Sequence, residues 1–174
     1  MIALTKEEIA KYLRDYSIIS KLIVKYPNNS IKEIFSNFMI KENRFNDNNE
    51  EYYETMINVY TLFTILKSFS FSEDYLVNNK LILNEELNFD DIKEKIFLNA
   101  NNAKYFNSKR NIITYIRNAF NHSDNNKQLY SISKNGRYLA INLENPKEKH
   151  PLHLKLNMEQ LLKLHKAMLD AKRT

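Results

Sequence analysis

Residues 129–144, "LYSISKNGRYLAINLE", change the rhythm of the chain. Upstream, apolar residues recur every three to four positions. Here they alternate, as they do when a strand sends successive side chains to opposite faces. The chain's one glycine, Gly136, follows Asn135 at the centre of the stretch. Asn-Gly suits a two-residue type I′ turn, because both positions tolerate positive φ. With Lys134 opposite Arg137, Ile132 falls opposite Leu139 and Tyr130 opposite Ile141, all on one face. The stretch therefore predicts a hairpin, and a fold that is not helix alone.

Towards the C-terminus, "PLHLKLN" predicts a third strand with Leu152, Leu154 and Leu156 on one side. Asn157 is placed to cap a last helix carrying Leu161, Leu164 and Met168. Towards the N-terminus the pattern is helical, and one glycine with three prolines leaves few breaks. Thr5 and Glu8 form a capping box ahead of Ile9, Leu13, Ile19, Leu22 and Ile23. That helix should end at "YPNN", since Pro27 disfavours helical geometry at Tyr26. Ser30 opens a second box, "SIKE", before Ile31, Ile34, Phe35 and Phe38. After "NDNNE", a third helix carries Tyr53, Met56, Ile57, Tyr60, Phe63 and Leu66. Residues 72–100 read as two shorter helices, the second opening near "NFDDIKEKIF". Asn107 and Ser108 can cap a further helix. The expected fold is mainly α: one domain over 1–174, with a helical bundle to about residue 124. A hairpin, strand and helix follow over about 127–174.

With 174 residues, 43% of them hydrophobic, the chain can bury a core. It has no cysteine, which removes disulfides and thiolate metal sites and suits a reducing compartment. The opening residues lack the basic start and apolar run of a secretory leader, and no apolar run is long enough to span a bilayer. A cytoplasmic location without membrane contact is expected. Charge is uneven. Residues 1–102 carry 12 Lys and Arg against 16 Asp and Glu, a net of −4, and residues 103–174 carry 14 against 5, a net of +9. A basic half suits an anionic partner such as nucleic acid.

The basic half opens with "TYIRNAFNHSD", residues 114–124. On a helix, Ile112, Ile116, Ala119 and Phe120 form an apolar stripe. Arg117, Asn118, Asn121 and His122 lie off it. Arg117 and His122 stand about 140° apart. They meet one ligand if Arg117 reaches round, if the helix ends near His122, or if a second copy of the helix faces the first. Six arginines and four histidines give about 0.14 chance Arg-to-His pairs at this spacing, so the surroundings carry the reading. Those surroundings are an adjacent amide, an amphipathic helix, a polar exit and a following hairpin.

"RNAFNH" resembles the Arg-polar-x-x-x-His signature of the HEPN superfamily (higher eukaryotes and prokaryotes nucleotide-binding). The resemblance implies a helical bundle with the motif on a late helix. It implies a metal-independent endoribonuclease of the kind found among toxins, abortive-infection proteins and CRISPR-associated nucleases. It also implies a homodimer whose two motifs form one composite site, with Arg117, Asn118 and His122 as its working residues. No cofactor is expected. An antitoxin-like regulatory protein is an expected partner beside RNA. A non-catalytic module that binds nucleotide or RNA is the nearest alternative. A small phage- or plasmid-borne inhibitor acting through protein contacts is the other.

The residue types suit the chemistry. Histidine titrates near neutrality and moves protons. Arginine stays charged and grips phosphate oxygens in a fork, and an amide can orient either. Asn121, Lys109, Arg110, Lys127 and Arg137 are weaker expectations as RNA contacts. His150 and His153, with His165, make a thin metal-ligand set without nearby carboxylates, so no metal site is expected. Tyr52, Tyr53, Tyr60, Phe63, Phe69 and Phe71 are expected mainly as core.

Overall fold

The computed structural model describes residues 3–42, 49–71, 81–82, 94–97, 109–123, 129–143, 152–169 and 172–173. Within them lie five helices: α1 (Lys6–Lys25), α2 (Ile31–Lys41), α3 (Asn49–Ser70), α4 (Lys109–Asn121) and α5 (Met158–Leu169). There are six strands: β1 (Leu81–Ile82), β2 (Glu94–Phe97), β3 (Tyr130–Ile132), β4 (Tyr138–Leu143), β5 (Leu152–Asn157) and β6 (Lys172–Arg173). The protein is mainly helical, with a small antiparallel sheet concentrated near the C-terminus.

Local chemistry starts the helices where the sequence predicts. Thr5 accepts from the Glu8 amide, and Glu8 accepts from the Thr5 amide, so the box at the head of α1 is closed in both directions. Ser30 and Glu33 repeat it on α2. At α5, Asn157 and Gln160 exchange the same pair of bonds, each 2.9 Å. Each cap is worth about 1 kcal/mol by satisfying amides that a helix start leaves unpaired.

Packing then assigns the faces. Two apolar clusters form, one among α1, α2 and the start of α3, the other among α3, α4, α5 and the sheet. The α3 helix serves both. Tyr52 and Met56 belong to the first, while Val59, Leu62, Ile65, Leu66 and Phe69 belong to the second. A helix with partners on several sides has no single stripe. The expected stripe through Tyr53, Met56, Ile57, Tyr60, Phe63 and Leu66 is therefore corrected. Met56 and Leu66 are buried, Tyr53, Ile57 and Phe63 are half-buried, and Tyr60 is exposed. Ile31, expected in the α2 stripe, is exposed as well, whereas Ile34, Phe35 and Phe38 are buried.

The sheet order is β2-β5-β4-β3, all antiparallel. Its hairpin has the expected register, Tyr130 opposite Ile141 and Ile132 opposite Leu139. The turn differs from the two-residue type I′ form. The last ladder bond joins the Ser133 amide to the Tyr138 carbonyl, and the Gly136 amide closes a tighter turn on the Ser133 carbonyl at 2.8 Å. Four residues, 134–137, thus make the loop. The Ser133 hydroxyl and the Asn135 amide oxygen take the amides of Tyr138 and Arg137, and side-chain acceptors of this kind support the longer loop. Gly136 has φ +70°, and a Cβ there would lie 2.8 Å from Asn58 Cβ and 3.1 Å from the Val59 amide on α3. Glycine meets both the conformation and the close approach.

The segment "NFDDIKEKIF" is a second correction. Its last four residues form β2, with Glu94 opposite Lys155 and Phe97 opposite Leu152. Local helical pattern loses here to the open edge of β5, which β2 fills. The expected third strand is consequently an inner strand. The other short helix expected within 72–100 is corrected at 81–82, which form β1 paired with β6, Leu81 opposite Arg173; its remaining residues, and the caps Asn107 and Ser108, lie outside the described residues. The expected last helix is present, with Leu161, Leu164 and Met168 buried.

One buried group has no counterpart among the expectations. Asp15 on α1 has no exposed surface. Its carboxylate accepts from the Tyr52 hydroxyl at 2.5 Å and from Arg14 at 3.1 and 3.2 Å. The charge is tolerated because hydrogen bonds replace its water.

Candidate nucleic-acid site at the end of α4

The α4 helix buries Ile112, Ile113, Tyr115, Ile116 and Ala119. A fully buried isoleucine contributes about 1.5–3 kcal/mol, so this face holds α4 against α3 and the sheet. Phe120, half-buried, sits between Phe63 of α3 and Tyr130 of β3, with ring centroids 5.7 and 5.5 Å away. Burial lifts the Tyr130 hydroxyl above its ordinary pKa. The rest of the last two turns of α4 is polar and reaches solvent. Arg117 and Asn118 are half-buried, and Asn121 and His122 are exposed.

Asn118 links the motif. Arg117 Nη2 and Nε donate to Asn118 Oδ1 at 3.0 and 3.3 Å. The guanidinium is thereby turned round the helix towards the arc between itself and His122. The His122 amide donates to the Asn118 carbonyl at 3.0 Å, and α4 ends at Asn121. Of the three conditions for Arg117 and His122 to serve one ligand, one is met within a single chain, since the helix ends at the histidine; the guanidinium turns as far as Asn118, which lies between the two on the helix. Asn121 ties the site to the neighbouring helix. Ser70 Oγ, at the end of α3, donates to Asn121 Oδ1 at 2.9 Å and shares its proton with the Leu66 carbonyl at 3.1 Å.

The weaker site expectations separate. Lys109 and Arg110 stand at the opposite end of α4 from His122, about 18 Å away along the axis, so they do not gather with the motif. Lys127 lies outside the described residues. Arg137 is placed elsewhere by its partners. It pairs with Glu54 near the start of α3, whereas Asn121 meets Ser70 at the end. Sixteen residues of helix, about 24 Å, separate these points. The placement has a simple cause: nearness in sequence to the motif says nothing of the end of α3 on which the hairpin tip lands.

His150 lies outside the described residues, and β5 carries His153 opposite Asn142. His165 on α5 faces Phe69 with centroids 6.2 Å apart, and desolvation lowers its pKa. Among the described residues no three His, Asp or Glu side chains converge as a metal-ligand group, and no helix is long and apolar enough to cross a membrane. Comparison with protein-family models, curated proteins and solved structures gives no match for this chain.

Proposed function

We propose that the protein is a HEPN-like endoribonuclease that cleaves single-stranded RNA at the Arg117–Asn118–His122 motif, in a toxin–antitoxin or phage-defence setting. The observation that carries this reading is the double hold of Asn118, whose side chain takes the Arg117 guanidinium while its backbone carbonyl takes the His122 amide. An always-charged fork and an exposed imidazole thereby share one helix end.

Each part has a task in transesterification. The substrate's 2′-OH attacks the adjacent phosphorus. Its proton leaves to a base, the 5′-oxygen departs with a proton from an acid, and a 2′,3′-cyclic phosphate remains. Arg117 stabilises charge on the phosphorane oxygens. His122 transfers a proton. Asn118 fixes the guanidinium. One imidazole supplies half of the acid–base work, so the proposal includes a two-fold homodimer in which a second motif supplies the other half.

The test combines purified protein, single-stranded RNA, EDTA and end-group analysis. Cleavage should persist in EDTA, leave 2′,3′-cyclic ends and spare DNA, which has no 2′-OH. Metal dependence, DNA cleavage or full activity in His122→Ala would refute it.

A further inference from the structure

The C-terminal part of α3 exposes one stripe. Tyr60, Thr64, Lys67 and Phe71 follow at helical spacing, all four exposed, and lie within about 60° of one another over about 16 Å. Phe71, just past the helix end, keeps 61% of its surface exposed, while its amide is tied to the Ser68 carbonyl. Tyr60, at the other end, is 38% exposed and stacks on Tyr16 with centroids 3.5 Å apart and planes 15° from parallel. The Ser70–Asn121 bond joins the end of α3, which Phe71 follows, to the end of α4, which His122 follows.

We infer that this stripe is the track along which a single RNA strand enters the site, with Phe71 stacking the base next to the scissile phosphate and Lys67 meeting the backbone. The inference rests on the ribonuclease reading and names how that site selects its substrate. Aromatic rings interleaved with a cation suit a strand whose bases are free and whose phosphates are charged. No Asp or Glu occurs from Thr55 to Phe71 or along α4, so neither helix sets a carboxylate against the strand there. A contact with a second protein copy fits less well, because interface centres are depleted in lysine. A duplex hides its bases and offers Phe71 nothing to stack on, so the track favours unpaired RNA.

The experiment uses the full chain carrying His122→Ala, so that RNA is bound without turnover, and a labelled single-stranded oligonucleotide. Phe71→Ala should weaken binding about tenfold, the scale of one lost base stack. Phe71→Trp should restore it, and Phe71→Leu should not. Lys67→Ala should lower the slope of log affinity against log salt by about one. Equal affinity for Phe71→Leu and the parent would overturn the stacking. So would a change in sedimentation mass on Phe71→Ala with RNA affinity intact, which would assign the face to a second copy. In either case the ribonuclease reading survives if protein with His122 intact still cuts RNA in EDTA. A chain that neither binds nor cuts RNA removes both.

Discussion

The two ends of α3 are built differently. At its start, the hairpin tip is clamped by charge and shape: Arg137 pairs with Glu54, Asn58 donates to the Asn135 carbonyl, and Gly136 lies against Val59. Nearby, Tyr52 closes on the buried carboxylate of Asp15. At its end, a hydroxyl contact joins Ser70 to Asn121, and Phe71 and His122 face solvent. The first end spends its polar groups on one another. The second gathers Arg117, Asn118, Asn121 and His122, the last two exposed, at one helix end. If the proposed function holds, the hairpin clamp and the chemistry stand about 24 Å apart along one helix, and substitutions at the two ends should report different quantities.

The largest effect belongs to the open end. His122→Ala and Arg117→Ala should each lower RNA cleavage by about 10²-fold or more, the usual scale for losing a proton-transfer group or a charge-stabilising donor. Neither side chain is in the core, so the melting temperature should hold. Unfolding of either variant under conditions where the parent is folded would break the separation.

Gly136→Ala tests the clamped end. A left-handed residue with a Cβ costs about 1–2 kcal/mol, and the new atom meets Asn58 Cβ at 2.8 Å. A loss of about 2 kcal/mol is expected, seen as a fall in Tm of about 4–8 °C for a chain of this size. Below that transition, cleavage by the folded fraction should be unchanged. An unaltered Tm would show that the hairpin tip does not bear on α3 as described.

These outcomes also mark what the sequence makes legible. Caps and periodicity identify α1, α2 and α5 with their starting residues, because a capping box is a local device three residues long. The hairpin register follows from alternation alone. Turn length does not, since the tip's form depends on Asn58 and Val59, some 77 positions away. Residues 94–97 read as helix because the partner that makes them a strand lies near residue 154. The buried face of α3 is obscured for the same reason: a helix packed on several sides carries no single stripe. Of the site, the motif stands in the sequence and its polar face follows from 100° per residue. The hold of Asn118 on Arg117, the bond from Ser70, and the exposure of Tyr60 and Phe71 do not. Both aromatics sit in an apolar context that normally signals core. For the proposed track, the one available signal is the missing carboxylate from Thr55 to Phe71.

A smaller effect is expected at Arg137. Its partner Glu54 is about half exposed, as it is itself, and surface pairs of this kind are worth about 0.5 kcal/mol. Arg137→Ala should therefore lower Tm by about 1–2 °C. It should leave RNA affinity and its salt slope unchanged, because the side chain stands at the wrong end of α3. A salt slope lowered by about one would return Arg137 to the RNA surface and weaken the division between the ends.

The smallest effect depends on pH. Lys134, in the hairpin loop, donates to Glu8 at 2.5 Å, and Glu8 also accepts from the Thr5 amide. Foremost the lysine, and then that amide, hold the Glu8 pKa below its ordinary value. A carboxylate with a lowered folded pKa binds protons more readily when unfolded. Its contribution is therefore complete above the ordinary glutamate range, near pH 4.3. It fades as pH falls through that range towards the folded value. Both side chains are well exposed, so water and salt screen the pair and about 0.3 kcal/mol is a fair scale. Lys134→Met should cost about that much at neutral pH and progressively less at an acidic pH below the ordinary glutamate range, as Glu8 gains a proton in the folded parent. Paired denaturant titrations at the two pH values measure the difference. A gap that persists at low pH would mean that the lysine's methylene stem, and not its charge, holds the hairpin loop to the start of α1.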